Sequence, residues 1–291
     1  MNRFIRFACA SLALVSLPLT RAAEPAAAVE RATLIVVGGA AGEAEFGQSF
    51  KEQLEAWTKT AKDAGATFIL IGNEENPATP DRERLKQALT TERKDGTSDL
   101  WLVLVGHGTF DGKEAKFNLR DSDVSATELA EWLKPYSRPL ALVNTSSSSA
   151  PFMAKLAGQK RVIVTSTRSG HEQNFSRFGK YFAEAFGDMK TDIDKDGQIS
   201  LLEAYLSASH RTAEFYKTEG RLATEHALID DNGDGLGTPV DWFKGVRATK
   251  SARDGASADG ARAHQYHLVR RAAEQQLPQE IRAKRAALEI E

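Results

Sequence analysis

Four carboxylates between Asp192 and Glu203 carry the most definite chemistry in this chain. In Asp192-Ile-Asp-Lys-Asp-Gly-Gln-Ile-Ser-Leu-Leu-Glu203, aspartates stand at the first, third and fifth positions and glycine at the sixth. A calcium ion takes about six to eight oxygen ligands, and a chain coiled around it presents them from these positions, from a backbone carbonyl at the seventh and from a bidentate glutamate at the twelfth. Gln198 holds the seventh position, Ser200 the ninth and Glu203 the twelfth, while Ile199 is placed to pack against a partner loop. Without a cation these carboxylates repel one another, so the spacing predicts a Ca2+ site with Asp192, Asp194, Asp196, Gln198, Ser200 and Glu203 as ligands. A second stretch, Asp230-Asp-Asn-Gly-Asp-Gly-Leu-Gly-Thr-Pro-Val-Asp241, repeats the pattern with Asp230, Asn232 and Asp234 at one, three and five and Gly235 at six. Here Asp241 replaces the terminal glutamate and Pro239 opposes an exit helix, so an Asn/Gly-rich turn is the alternative reading.

A different chemistry is suggested by Gly106-His107-Gly108, which ends the apolar run Leu100 to Val105, and by Asn144-Thr-Ser-Ser-Ser-Ser-Ala150, which ends a second apolar run. A histidine beyond a buried strand is placed to meet a ligand, because open α/β sheets bind at the carboxyl ends of their strands. The alternative is a tight turn in which His107 has no role.

These residues need a scaffold, and the chain describes one. Buried-strand runs at 32–37, 66–71, 100–105, 139–143 and 161–165 alternate with helix patterns, among them Phe46, Phe50, Leu54, Trp57 and Ala61 at spacings of three and four. Gly65 ends that helix; further helices are expected at 79–91, at 125–133 with Ser125 and Glu128 as a capping box, at 175–186 and at 200–217. The alternation predicts an α/β fold, a mostly parallel sheet with helices on both faces. The loop from Gly38 to Gly47 has neither Gly-x-Gly-x-x-Gly nor Gly-Lys-Ser/Thr, which argues against a nucleotide cofactor.

Here the chain resembles a known family. A strand ending in His-Gly, a short helix, and a strand ending in Asp-x-Cys followed by small residues is the layout of the caspase, legumain and gingipain clan of cysteine peptidases. Residues 31–187 resemble that clan in order and spacing, with Phe117-Asn-Leu119 and Asp121 before the helix and Thr165 to Gly170 where the clan builds part of its specificity pocket. The resemblance implies His107 as general acid/base, Ser146 at the nucleophile position and the Gly108 N–H as oxyanion donor. The chain departs from the clan at Asn144-Thr145-Ser146, where serine replaces cysteine. A thiol titrates near about 8.5 and is partly thiolate at neutral pH, whereas a serine needs a base in direct reach that is itself oriented by a third group. Two readings follow: a degenerate relative that keeps the fold and binds a peptide or protein near His107, or a serine-dependent endopeptidase or hydrolase using Ser146 and His107. The acidic loops, joined by one helix 38 residues apart, resemble a paired EF-hand or dockerin-like arrangement.

The remaining segments bound the setting. The chain has 291 residues, 41% hydrophobic and 27% charged, an ordinary globular composition. Arg3 and Arg6, the apolar run Phe7 to Leu19 and the small residues after Arg21 read as a secretory signal over 1–23, too short to span a membrane, so the mature protein is expected to be periplasmic or extracellular. Its removal takes away three positive charges and moves the net charge from −2 to about −5, which gives no reason to expect nucleic-acid binding. The one cysteine, Cys9, leaves with it, excluding disulfides and a cysteine nucleophile from the mature chain. The expected organisation is therefore an α/β domain at 24–190, a helical calcium-binding segment at 191–245, and a linker with helical tail at 246–291. Thr249 to Gly260 reads as flexible by composition, Arg262 to Glu291 as exposed helices, and His264 and His267 as solvated.

Overall fold

The computed structural model describes residues 31–271 and, beyond them, residues 277, 278, 280, 281, 284 and 288. The expected signal segment with Cys9, and most of the expected tail helix, lie outside the described residues.

Five apolar runs form the parallel part of one sheet: β1 (Thr33–Gly38), β2 (Thr67–Ile71), β3 (Leu100–Val105), and, later in the chain, the strands at Leu140–Asn144 and Arg161–Thr165. After β3 the chain makes a small antiparallel sheet from β4 (Gly108–Phe110), β5 (Ala115–Phe117) and β6 (Val124–Ser125), so the later strands are β7 (Leu140–Asn144) and β8 (Arg161–Thr165). Two further strands, β9 (Leu228–Asp230) and β10 (Thr238–Pro239), add to the edge in the antiparallel sense, giving the order β10-β9-β8-β7-β3-β1-β2.

Successive strand residues point to opposite faces, and both faces are covered. Leu34, Val36, Trp101 and Val103 belong to a core shared with Trp57, Phe182, Leu202 and Tyr205, from α1 (Ala44–Ala64), from a helix at Phe178–Ala185 and from another at Leu201–Thr218. Ile35, Val37, Leu102 and Leu104 meet Leu85, Leu129 and Phe152 on the other side, from α2 (Asp81–Thr91), α3 (Ala126–Leu133) and α4 (Ala150–Leu156). The helices α5 (Phe178–Ala185) and α6 (Leu201–Thr218) complete the set. This burial on both faces is why the strands read as continuous apolar runs rather than alternating ones.

The local signals act as expected. Gly65 closes α1 in the left-handed conformation (φ 60), and Ser125 and Glu128 make both bonds of a capping box. The sequence leaves residues 191–245 open as a separate lobe or an insertion packed on the sheet, and the segment packs on the sheet: α6 lies in the main core, and β9 and β10 extend the main sheet on either side of the second acidic loop, which is a strand-to-strand connection and not a loop leading into a helix. The first part of the expected exposed tail helix is corrected, while the described residues 280, 281, 284 and 288 are helical and exposed. Apart from one short turn at Ala263–Gln265, residues 261–271 are irregular, and Ala263, Tyr266 and Leu268 are buried against α6 and Trp101. Tertiary burial of those three side chains outweighs the helix preference of the Ala- and Arg-rich sequence. Among the described residues no helix is long and apolar enough to cross a membrane.

Candidate functional site

The first acidic loop follows a short turn at Met189–Thr191 and delivers the chain into α6. Its shape is held by carboxylates accepting backbone N–H groups further along the loop. Asp192 Oδ2 accepts from Gly197 at 3.1 Å, Asp194 Oδ1 from Asp196 at 3.1 Å, and Asp196 Oδ1 from Gln198 at 2.8 Å. Lys195 and Gly197 take left-handed conformations (φ 63 and 83), which coil the chain tightly, and Lys195 Nζ donates to the Asp192 carbonyl. The three aspartates each offer a carboxylate oxygen within 4.8 Å of the others. Asp192 is 4% exposed, and its Oδ1 is buried with no hydrogen-bond partner among the described residues. A buried carboxylate oxygen without a donor is costly, and a divalent cation between the three groups removes that cost. The donor set is all oxygen and fits calcium.

Glu203 is used differently from the simple expectation. Its Oε1 accepts from the Ile193 N–H at 2.7 Å and the Asp194 N–H at 3.3 Å, and its Oε2 from the N–H and hydroxyl of Ser200, both at 2.8 Å. Ser200 Oγ accepts in turn from the Glu203 N–H, so the pair caps α6 and ties its first turn back to the loop. Burial resists ionisation of Asp196, but the two Gln198 donors and the charges of His267 and Arg271 outweigh it and hold that carboxyl below its usual range.

The second loop repeats the same three bonds at the same offsets. Asp230 Oδ2 accepts from Gly235 at 3.0 Å, Asn232 Oδ1 from Asp234 at 2.8 Å, and Asp234 Oδ1 from Leu236 at 2.8 Å. Asp234 Oδ2 is buried and has no partner among the described residues. The twelfth position does not close this loop: Asp241 is exposed on the turn at Val240–Trp242, because Pro239 ends β10 instead of entering a helix. The closing contact comes from Asp259, which no spacing rule points to. Asp259 is 2% exposed, and its Oδ1 accepts from the Asp231 and Asn232 N–H groups at 2.9 and 3.1 Å, its Oδ2 from the Thr238 hydroxyl at 2.6 Å. Asp231 reciprocates, accepting from the Gly260 N–H at 3.0 Å and the Ala263 N–H at 2.7 Å. Burial of these two neighbouring carboxyls pushes both upward from the usual carboxylate range.

His107 and Ser146 are brought to the carboxyl ends of adjacent strands, β3 and β7, as their positions require. Their hydrogen bonds run to different groups. The His107 ring lies half-buried between Phe46, Phe50 and Phe175, with centroids 5.0, 5.1 and 6.1 Å away, and Nε2 donates to the Ala41 carbonyl at 3.2 Å. Burial lowers the tendency of the ring to take a second proton, partly offset by the Ala41 bond. A carbonyl only accepts, so Nε2 carries the proton and Nδ1 is the ring's remaining acceptor.

Ser146 is fully buried; its Oγ donates within reach of Asn144 Oδ1 at 2.7 Å and the Ser147 carbonyl at 3.1 Å. The Gly108 N–H, the expected oxyanion donor, gives its proton to Ser147 Oγ at 3.1 Å, and that hydroxyl donates back to the Gly108 carbonyl at 3.0 Å. The serine run is thus stitched to β4 by its own hydroxyls. Next to it Ser148 takes a left-handed conformation (φ 54). Phe46 and Phe175 also line a cavity of about 480 Å3 together with Arg177, Lys180, Arg221 and the highly exposed Leu222.

Solved structures similar to the chain include the Drosophila initiator caspase Dronc, at 14% identity over 71% of this chain and 81% of that one with a TM-score of 0.45. Caspase-1 from Spodoptera frugiperda is similar at 10% identity over 70% and 87% of the two chains with a TM-score of 0.44. A protein from Geobacter sulfurreducens is similar at 9% identity over 69% and 93% with a TM-score of 0.45. No family model matches the sequence, and no curated protein is similar to it by sequence.

Proposed function

We propose that this is an exported calcium-binding protein whose caspase/legumain-like α/β domain is catalytically degenerate and binds a peptide or protein partner. The observation that carries the calcium reading is the buried, partnerless Oδ1 of Asp192 beside two further carboxylates within 4.8 Å. Asp192, Asp194 and Asp196 would hold the ion, with the Gln198 carbonyl and, after exchanging its present donors, Glu203; bound calcium would neutralise the loop and fasten it to α6. In an exported protein at millimolar calcium such a site is structural, with a dissociation constant of about 10⁻⁴ to 10⁻³ M.

At 10 mM calcium that affinity stabilises the fold by about 1.4 to 2.7 kcal/mol, a rise in melting temperature of roughly 3 to 5 °C. Calorimetric titration and thermal melts with calcium and magnesium check this. Heat and stabilisation are expected for wild type and are lost in Asp192→Asn and Glu203→Gln; equal responses from all three would sink the reading.

Degeneracy is supported by three hydrogen bonds: Ser146 Oγ to Asn144, the Gly108 N–H to Ser147, and His107 Nε2 to Ala41. A serine nucleophile needs its base in hydrogen-bond reach and an empty oxyanion donor. Fluorogenic peptides with Lys, Arg, Asn or Asp before the scissile bond, incubated with calcium, are expected to remain uncut by wild type and by Ser146→Ala. Turnover that vanishes in the variant would replace this reading with the serine-dependent hydrolase.

A further inference from the structure

Residues 259–271 run as a strap from the second acidic loop to the first. One end is the reciprocal pairing of Asp259 and Asp231. The middle is buried: Tyr266 packs 6.2 Å from Trp101, its hydroxyl donates to the Lys160 carbonyl at 3.0 Å, and its carbonyl accepts the Leu201 N–H at 2.8 Å. The other end docks on the first loop through two contacts. His264 Nε2 donates to Asp194 Oδ2 at 2.9 Å, and the Arg271 N–H donates to Gln198 Oε1 at 3.0 Å, with the Arg271 side chain lying over Gly197.

The oxygens used are informative. On Asp194 and Asp196 the Oδ1 atoms accept the backbone bonds that shape the loop, leaving Oδ2 for an ion. Those two Oδ2 atoms are the ones already taken, Asp194 Oδ2 by His264 and Asp196 Oδ2 by Gln198 Nε2 at 3.3 Å. Gln198 in turn holds Arg271, so the His264 contact and, through Gln198, the Arg271 hydrogen bond both end on an oxygen suited to a cation.

We infer that His264 is an affinity-determining residue of the first calcium loop, an internal competitor whose displacement by calcium frees the distal end of the strap while Tyr266 keeps its middle in place. This rests on the calcium reading above. The His264 N–H is aimed at Asp194 Oδ2, the oxygen that the loop's own backbone bond leaves over for an ion, so the donor and the ion compete for that oxygen. Turning Asp194 Oδ2 toward the ion draws it off His264, and turning Asp196 Oδ2 inward draws Gln198 away from Arg271.

The test uses the full chain and calcium chloride as probe, with two readouts. Calorimetry on wild type, His264→Ala and His264→Gln measures affinity; amide hydrogen exchange with and without calcium measures protection at Arg271 and at Leu201. His264→Ala is expected to bind calcium about 3- to 10-fold more tightly, and calcium is expected to lower protection at Arg271 while Leu201 stays protected. Calcium binding with affinities within twofold, or with Arg271 protection unchanged, would overturn the inference and leave the calcium reading standing. Absence of calcium binding in wild type and in both variants would overturn the two together.

Discussion

Replacing Asp259 with alanine lowers the stability of the protein by about 3 kcal/mol, although composition alone would place the residue in a flexible linker. The carboxylate serves three donors, two backbone N–H groups and the hydroxyl of Thr238, which is itself fully buried. Each buried donor stranded by truncation costs about 1 to 3 kcal/mol. Part of that is returned, because removing the group also relieves the burial of one carboxyl beside another at Asp231. Asp259→Asn keeps an acceptor for the two N–H groups, and the Thr238 hydroxyl can turn to accept from the new amide, so the asparagine variant restores most of the loss. Urea unfolding of the two variants and wild type measures the difference. An alanine variant within about 0.5 kcal/mol of wild type, the range of ordinary surface substitutions, would show that the strap is not anchored there.

The second large effect is expected at Gly108. A Cβ on this residue would overlap the Ser147 carbonyl oxygen and stand 2.8 Å from Ser146 Oγ and 3.1 Å from the Lys116 carbonyl oxygen. Two of these three neighbours are backbone atoms that cannot swing aside, so Gly108→Ala must push β4 away from the serine run and break the paired bonds between Gly108 and Ser147. Overpacking of this kind costs about 1 to 3 kcal/mol, and the lost hydrogen bonds place the variant at the upper end, about 3 kcal/mol. Gly47→Ala is the matched control. It lies inside α1, where the added methyl meets only the Ala41 Cβ at 3.4 Å, and the helix gains about 0.5 to 1 kcal/mol from the substitution. Equal stability of the two alanine variants would contradict the contact geometry around Ser146.

This close approach explains how the chain holds a histidine and a serine at adjacent strand ends without pairing them. The glycine that lets the serine run come near β4 also gives that run a partner, and the hydroxyl of Ser147 takes the N–H that an oxyanion would need. His107, boxed by three phenylalanines, spends its proton on Ala41. In this arrangement the serines act as structural cross-links between the strand ends of the sheet.

The parts of the molecule that were legible in the sequence are those governed by neighbours within a few residues. The central parallel strands could be read because both of their faces are buried, the helix at α1 because its apolar stripe repeats every three to four residues, and the cap at Ser125 because a capping box spans four positions; the equal box at Ser200 and Glu203 is hidden by their reading as loop positions nine and twelve. The turns of the two acidic loops belong to the same class, since the carboxylate and amide oxygens at their first, third and fifth positions accept backbone N–H groups two to five residues ahead.

What only the tertiary structure decided is everything in which distant segments compete for the same atoms. Asp259 closes the second loop in place of Asp241 because the chain after Pro239 turns away, and no local rule reaches the 28 positions from Asp231 to Asp259. His264, at first sight a solvated side chain on an exposed helix, lies on Asp194, because burying Tyr266 and Leu268 against α6 yields more than one amphipathic turn in water. His107 and Ser146 were locatable from strand order, but their chemistry is set by Ala41, Asn144 and Ser147. Short-range order was written in residue type and spacing, whereas the donors and acceptors at each candidate site were assigned by which parts of the chain the core brings together.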